Sequence, residues 1–329
     1  MIKSIYIEDE IREHPRTLEL LQRFHDATPI YCGRYTEIFN RKSQNFRLQK
    51  KQPALILARK YKNHVLPAPV NYGIGAKYNY YFSHMLNCIY DCRYCFLQGM
   101  FQSAHYVLFV NYDEFTDAIT RIIRDRGNDS ICFFSGYDCD SLAMEPVTRF
   151  TEYFLPVFEK YPNAVFELRT KSTQIRSLIE HGPSGNCVIA YSFTPAEIAS
   201  ALEHKTPSIK NRISAIARLQ ATGWQIGLRF DPLIFYENYK TGYNNLFKQI
   251  FTSIEPSAVH SVSLGSFRLP RDYFRKIRRL YPDELLFASP LEDINGQLSY
   301  PDDLQKELYR FCTDTILKYI PQNRFFSCH

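Results

Sequence analysis

No stretch of this sequence stays apolar for the roughly 18–20 residues that a membrane-crossing helix needs. Its start, MIKSIYIEDEIREHP, lacks the basic opening and apolar core of a secretory leader. These two absences predict a soluble, cytoplasmic protein with no membrane partner. No internal repeat and no low-complexity tract interrupts the chain. Tryptophan occurs once, against 24 tyrosines and 25 phenylalanines. Most of those aromatics belong to core and strands, so their number alone does not argue for base stacking. Nine cysteines in 329 residues are too few and too scattered for a disulfide scaffold. Three of them nevertheless crowd into LNCIYDCRYCFL, and no fourth stands nearby. In a reducing compartment, clustered thiols point to metal or redox chemistry. The net charge of +6 permits a polyanionic partner without establishing one.

What remains is ordinary globular composition, 45% hydrophobic and 22% charged, long enough for one large domain with appendages. Residues 1–75 carry a basic stretch, NRKSQNFRLQKKQPALILARKYKN, and end in the turn-rich VLPAPVNYGIG. They read as an N-terminal extension packed on the core, and any single Lys or Arg there as part of a solvated face. From Tyr80 onward, short β-rich runs alternate with amphipathic stretches. The main runs are YYFSHMLN, SICFFSG, AVFELRTKS, CVIAYSFTP, QIGLRFDPLI and AVHSVSLGSFR, with YVLFVN as an additional one. Nearly continuous apolar strands are expected where both faces are covered. Strand–helix alternation implies a parallel sheet with right-handed crossovers. About six units fall short of the eight of a closed barrel. The fold expected is therefore α/β, a partial (β/α)6 barrel over residues 76–282, with a small helix/strand element over 283–329.

In parallel α/β folds, chemistry gathers at the C-terminal ends of strands. The cysteine cluster follows the first run. Asp138, Cys139 and Ser141 follow the second, Lys171 the third, Ser192 the fourth, Arg229 and Asp231 the fifth, and Ser263 and Ser266 the sixth. For Ser263 and Ser266 a local hydrogen-bonding role suffices. Cys132, inside SICFFSG, reads as core. The cluster itself admits three readings. A zinc site requires His84 or His105 to fold back as the fourth ligand. A thioredoxin-like pair uses Cys92 and Cys95 but leaves Cys88 unexplained. In the third, Cys88, Cys92 and Cys95 bind three irons of a 4Fe–4S cluster and leave the fourth iron open to a small molecule.

The third spacing, at the end of the first strand of a six-unit barrel, resembles the radical S-adenosylmethionine superfamily. The segments YFSHMLNCIYDCRYCFLQ, LRTKS, YSFTPAEI and RISAIARLQATGWQIGLRFDPLI are similar to the spore photoproduct lyase family of DNA-repair enzymes, and the likeness covers most of the chain. That resemblance implies that Cys88, Cys92 and Cys95 ligate the cluster. It implies reductive cleavage of S-adenosylmethionine to methionine and a 5′-deoxyadenosyl radical, with a reducing donor such as flavodoxin or ferredoxin. Ser141, Lys171 and Ser192 match positions that hold the methionine end of the cofactor. Tyr94 matches a tyrosine beside the cluster, and simple packing explains it equally well. Cys139 falls at the position of the hydrogen donor that quenches the substrate radical. The substrate implied is nucleic acid, a damaged pyrimidine pair in DNA.

Two departures stand out. The family's repair enzymes carry a tyrosine directly after the last cluster cysteine, used in returning hydrogen to the cofactor. Here that residue is Phe96, which has no O–H. Near the C-terminus those enzymes have a basic hairpin with an arginine that enters the lesion site. Here the stretch reads LLFASPLEDINGQLSYPDDLQ, which is acidic. Arg268, Arg271, Arg275, Arg278 and Arg279 are compatible with a phosphate track and with a solvated helix face. A different substrate, or a nucleic-acid-binding iron–sulfur protein without turnover, are the alternatives.

Overall fold

The computed structural model of the chain describes residues 2–39, 41–70 and 72–328. Its centre is an eight-stranded sheet. Six strands follow one another in chain order: β1 (Tyr78–Phe82), β2 (Ile131–Ser135), β3 (Ala164–Thr170), β4 (Cys187–Ser192), β5 (Gln225–Leu233) and β6 (Val259–Ser266). Every neighbouring pair is parallel, and β7 (Phe325–Ser327) adds in parallel beside β6. Leu66–Pro67 closes the other edge in antiparallel pairing with β1. This is the partial α/β barrel expected from the alternation.

Period-two alternation assigns each strand residue to a face. Phe82, Phe133 and Phe166 lie on the side covered by a helix, Phe150–Phe158, and Phe158 stacks on Phe166 at 4.3 Å. On the opposite face Cys132 and Phe134 are buried against Ile74, with Tyr72, Tyr81 and Phe326 packed around them. That same face carries charge. Arg229, on β5, bonds Glu167, on β3, through Nη2–Oε2 at 2.7 Å and Nε–Oε1 at 3.2 Å, with both side chains fully buried. Arg229 also donates to the Ser261 hydroxyl and carbonyl on β6. Its guanidinium therefore ties β3, across the intervening β4, to β5 and β6 below the strand ends.

The other large element is a five-stranded sheet in the order Thr28–Cys32, Ser4–Glu8, Leu55–Ala58, Tyr106–Phe109, Met85–Leu86. The first four strands are parallel and the last pair antiparallel. The run YVLFVN thus supplies a strand to this second sheet, not to the barrel. Two of the five strands lie beyond residue 75, so residues 1–75 share a hydrogen-bonded sheet with the segment that follows. Residues 283–329 also return to the barrel. They provide β7, and Gln297–Ser299 pairs with Arg268–Pro270 just after β6. Among the described residues, no helix is long and apolar enough to cross a membrane.

Candidate functional site

The chain leaves β1, passes through Met85–Leu86 and enters the cysteine loop. Asn87 starts the loop in the left-handed region, at φ 70°. Its amide donates to the carbonyls of Ser103 and His105 at 2.7 and 2.8 Å. The Tyr90 backbone N–H points at the Cys88 sulfur at 3.4 Å. Asp91–Cys92 pairs in antiparallel fashion with Glu203–His204. The Cys95 N–H closes a turn onto the Cys92 carbonyl at 3.1 Å. A second clamp comes from the helix Arg271–Leu280. Gly99 lies so close to it that a Cβ there would sit 2.6 Å from the Tyr273 Cα. Lys276 donates to the Gly99 carbonyl at 3.1 Å. Arg93 stacks on Tyr281 at 3.6 Å and pairs with Glu284 at 2.7 Å.

Held this way, the three sulfurs act on one another electrostatically. Burial pushes the Cys88 thiol up to about 12, with Asp140 and Cys95 adding to it. Burial likewise raises Cys92 and Cys95, against which the Lys171 ammonium pulls down. Such thiols ionise only against strong positive charge, which a bound metal centre supplies. Among the described residues, no three His, Cys, Asp or Glu side chains converge on a point where one metal ion could sit. A cluster that takes each thiolate on a different iron does not require such convergence. The two histidines that a zinc site would need are engaged elsewhere. His84 is buried against Phe150 at 3.9 Å, and burial lowers it to about 3. His105 accepts the Ala54 backbone N–H at 2.9 Å through Nδ1. The donor set fits three-point ligation of an iron–sulfur cluster.

Around the loop stand the strand ends. Gly136, at φ 80°, turns the chain after β2, where a Cβ would meet the Ser141 Oγ at 2.6 Å. Ser141 is buried, with its hydroxyl 2.7 Å from that of Ser135. Asp140 organises the turn. It accepts from the Leu142 and Ala143 N–H groups, the Thr170 hydroxyl at 2.6 Å and the Lys171 N–H at 2.7 Å. That last bond fixes where Lys171 leaves β3. The Lys171 ammonium lies 5.6 Å from the Tyr94 ring centre. Burial alone would lower its pKa, but Glu203 and Cys92 raise it, so it stays charged. Cys139 is buried between Asp138 and Asp140. The charge acting on it most strongly is the Cys88 sulfur. The Met85 backbone, at the entry to the cysteine loop, also acts on the Cys139 sulfur.

Three residues around the site escaped sequence reasoning. Glu203, fully enclosed, accepts from the Tyr94 hydroxyl and, at 3.1 Å, from Thr194 just past β4. Arg212 bonds its other oxygen and donates to the Ser192 carbonyl at 3.2 Å. Burial opposes ionisation of Glu203, but Lys171 and Arg212 hold its carboxyl below the usual range. Lys171 and Arg212 face the Glu203 carboxylate, and Lys171 also acts on Asp140. A charged ammonium held beside Tyr94 in this way is a donor suited to a ligand carboxylate. The signal was present: Ile209, Arg212, Ile213 and Ile216 share one helical stripe, an odd place for arginine. The third is Lys60, just past the strand Leu55–Ala58. Its ammonium lies 5.4 Å from the Phe109 ring and acts on Asp138 and Cys139.

The sequence model of one family, spore photoproduct lyase, matches residues 72–325. The chain belongs to the spore photoproduct lyase family. Members are radical S-adenosylmethionine enzymes that use a 4Fe–4S cluster. The chain is 24% identical to the spore photoproduct lyase of Clostridium acetobutylicum over 253 residues, 73% of this chain and 74% of that one. It is 21% identical to that of Bacillus subtilis over 198 residues, 59% and 58% of the two chains. A solved spore photoproduct lyase variant with bound AdoMet and dinucleoside spore photoproduct superposes with a TM-score of 0.86 at 18% identity, covering 100% of this chain and 98% of the other. At that identity the superposition speaks for the fold, including the N-terminal sheet that lies outside residues 72–325.

Proposed function

We propose that the protein is a radical S-adenosylmethionine lyase that opens the carbon–carbon crosslink of a damaged pyrimidine pair in DNA. The observation that supports this reading is the fixing of the cysteine loop beside the strand ends that carry Lys171 and Ser192, with Lys171 acting on Cys92 and Cys95 and lying 5.6 Å from the Tyr94 ring centre. When bound, the cluster and cofactor supply the electron and the 5′-deoxyadenosyl radical that begin the reaction. Cys88, Cys92 and Cys95 hold the cluster. Lys171 pairs with the carboxylate of the methionine moiety. Ser192 and Ser141 bond its polar groups, and Ser141 retains capacity because a hydroxyl bonded once can still engage a second partner. Tyr94 acts as a wall of this pocket, tied back by Glu203. Cys139 would give its hydrogen atom to the substrate carbon radical, breaking S–H, forming C–H and leaving the unpaired electron on its sulfur, where one electron from a low-potential donor and a proton restore the thiol. Its thiol must be protonated to do so, and burial together with Cys88 and Asp138 favours that state.

The test is an anaerobic assay of reduced, reconstituted protein on DNA containing 5-thyminyl-dihydrothymine. Thymidine release with formation of 5′-deoxyadenosine is expected, from an electron delivered by a low-potential donor. If 5′-deoxyadenosine forms but no thymidine appears, the radical chemistry stands and the lesion assignment falls. A second reading, action on another substrate, draws on one feature. Glu292–Ile294 and Gln297–Ser299 form an exposed hairpin, and its Asp293 pairs with Arg271 at 3.0 Å. An acidic hairpin repels phosphate at the place where a basic one would attract it.

A further inference from the structure

Two basic runs far apart in the sequence meet on one surface. The short helix Phe46–Lys51 and the helix Arg271–Leu280 touch where Arg47 donates to the Leu280 carbonyl. Arg47 and Lys51 are four residues apart, hence on one helical face. Arg275, Arg278 and Arg279 share a face of the longer helix and, with Pro282, line a shallow concavity of about 440 Å³. All five side chains are charged, and Lys51, Arg275, Arg278 and Arg279 are exposed. Among the described residues only Arg275 has an acidic partner, Asp272, at a loose 3.7 Å. Favourable interaction with the helix dipole accounts for cations in the last turn of the longer helix. It also accounts for Arg47, which caps the last carbonyl of that helix, but not for Lys51, delivered from the same N-terminal helix.

The acidic hairpin sits at the opposite end of the same helix, where Asp293 neutralises Arg271. The potential therefore rises along the helix, away from the hairpin and toward the concavity. The helix also clamps the cysteine loop through Gly99 and Lys276, so its charged face has a fixed relation to the site. We infer that Arg47, Lys51, Arg275, Arg278 and Arg279 form a docking ridge for the phosphate backbone of duplex DNA. The ridge takes over the electrostatic grip that the hairpin cannot provide. This inference rests on the nucleic-acid substrate proposed above and specifies how that substrate is held.

Binding to a lesion-free 20-base-pair duplex, measured by fluorescence anisotropy from ~50 to ~200 mM salt, tests it. Each phosphate contact contributes about 0.9 to the slope of log affinity against log salt. The triple variant Arg275→Gln, Arg278→Gln, Arg279→Gln should lower that slope by about 2 to 3. Adding Arg47→Gln and Lys51→Gln should lower it further, by about 1 to 2. A variant matched in net charge, Arg121→Gln, Arg124→Gln, Lys160→Gln, should retain the wild-type slope. Circular dichroism confirms that each variant is folded. If the triple variant binds with wild-type slope while the wild type binds well, the ridge is overturned and the proposed substrate class survives. If both triple variants lose the same slope, diffuse net charge replaces the ridge. If the wild type shows no salt-dependent binding at all, the nucleic-acid proposal falls with it.

Discussion

Replacing Glu203 by glutamine removes one negative charge at almost constant volume. In the wild type that carboxylate faces Arg212 and Lys171 and accepts from Tyr94 and Thr194. Glutamine keeps an acceptor for the hydroxyls but leaves the fully buried Arg212 guanidinium without a counter-charge. Breaking a buried pair from one side costs about 3–5 kcal/mol. The retained hydrogen bonds and the carbonyls of Pro207 and Ser192, which still accept from Arg212, favour the lower figure. Unfolding entropy of about 2.1 cal/mol/K per residue gives about 0.7 kcal/mol/K for a chain of 329 residues. About 3 kcal/mol then lowers the apparent melting temperature by about 4 °C, which scanning calorimetry of the metal-free protein resolves. Arg212→Met should destabilise less, because Lys171 still balances Glu203 and only the Arg212 hydrogen bonds are lost. The double variant should lose less than the sum by at least about 1 kcal/mol, since it removes the Arg212 charge that Glu203→Gln strands. A Glu203→Gln melt within about 1 °C of wild type, or strict additivity in the double variant, would refute this account of the network.

Gly99→Ala places a methyl against the Tyr273 backbone. Urea unfolding should show about 1–3 kcal/mol of destabilisation, with reduced iron retention, and unchanged values would show the helix free to yield. Lys171→Met should weaken S-adenosylmethionine binding about tenfold to a hundredfold by equilibrium dialysis while iron per chain stays constant, as expected for loss of one bond to a charged group. Glu167 sets an acid limit. Burial pushes its carboxyl up, but Arg229 and Arg169 more than offset this and hold it at about 2, below the ordinary 4.5. A depressed carboxyl contributes stability that is present above about pH 4.5 and lost as pH falls toward 2, here about 3 kcal/mol in all. Glu167→Gln should flatten that acid limb of the stability curve, and an unaltered limb would point to other groups. Phe96→Tyr restores the hydroxyl that the resemblance assigns to hydrogen return. It should lower the 5′-deoxyadenosine formed per turnover, and an unchanged ratio would show that hydrogen return does not pass through this position.

The six barrel strands were legible because each is a short apolar run followed by an amphipathic one, and no other arrangement buries both. The strand-end residues then followed from topology alone. Sheet membership was not legible in the same way. YVLF has the same local pattern as the barrel strands, yet it pairs with Leu55–Ala58, because partner choice is a long-range property. The first 58 residues hid their strands behind charge. SIYIE and LILA are strand-like, but the basic run beside them has the pattern of a solvated face. Nothing local in the sequence marks Glu203 and Arg212 as partners. Only their mutual distance, closed by a turn of the chain, makes them a buried pair. Phe96 was legible as a substitution and could not reveal its packing partner, Tyr137, whose ring lies 5.6 Å away.

The five-stranded sheet bears on how the molecule can be cut. Kinship with the family is detectable from residue 72, which invites use of the matched segment as a minimal fragment. Such a fragment would strip Leu55–Ala58 from Tyr106–Phe109 and uncover an apolar strand whose Val107 and Leu108 are wholly enclosed in the intact chain. Bare edges of that kind recruit other chains. The same strand pairs on its far side with Met85–Leu86, the entry to the cysteine loop, so the loop would lose its foundation together with its solubility. Where resemblance begins and where a self-sufficient folding unit begins are different residues in this protein.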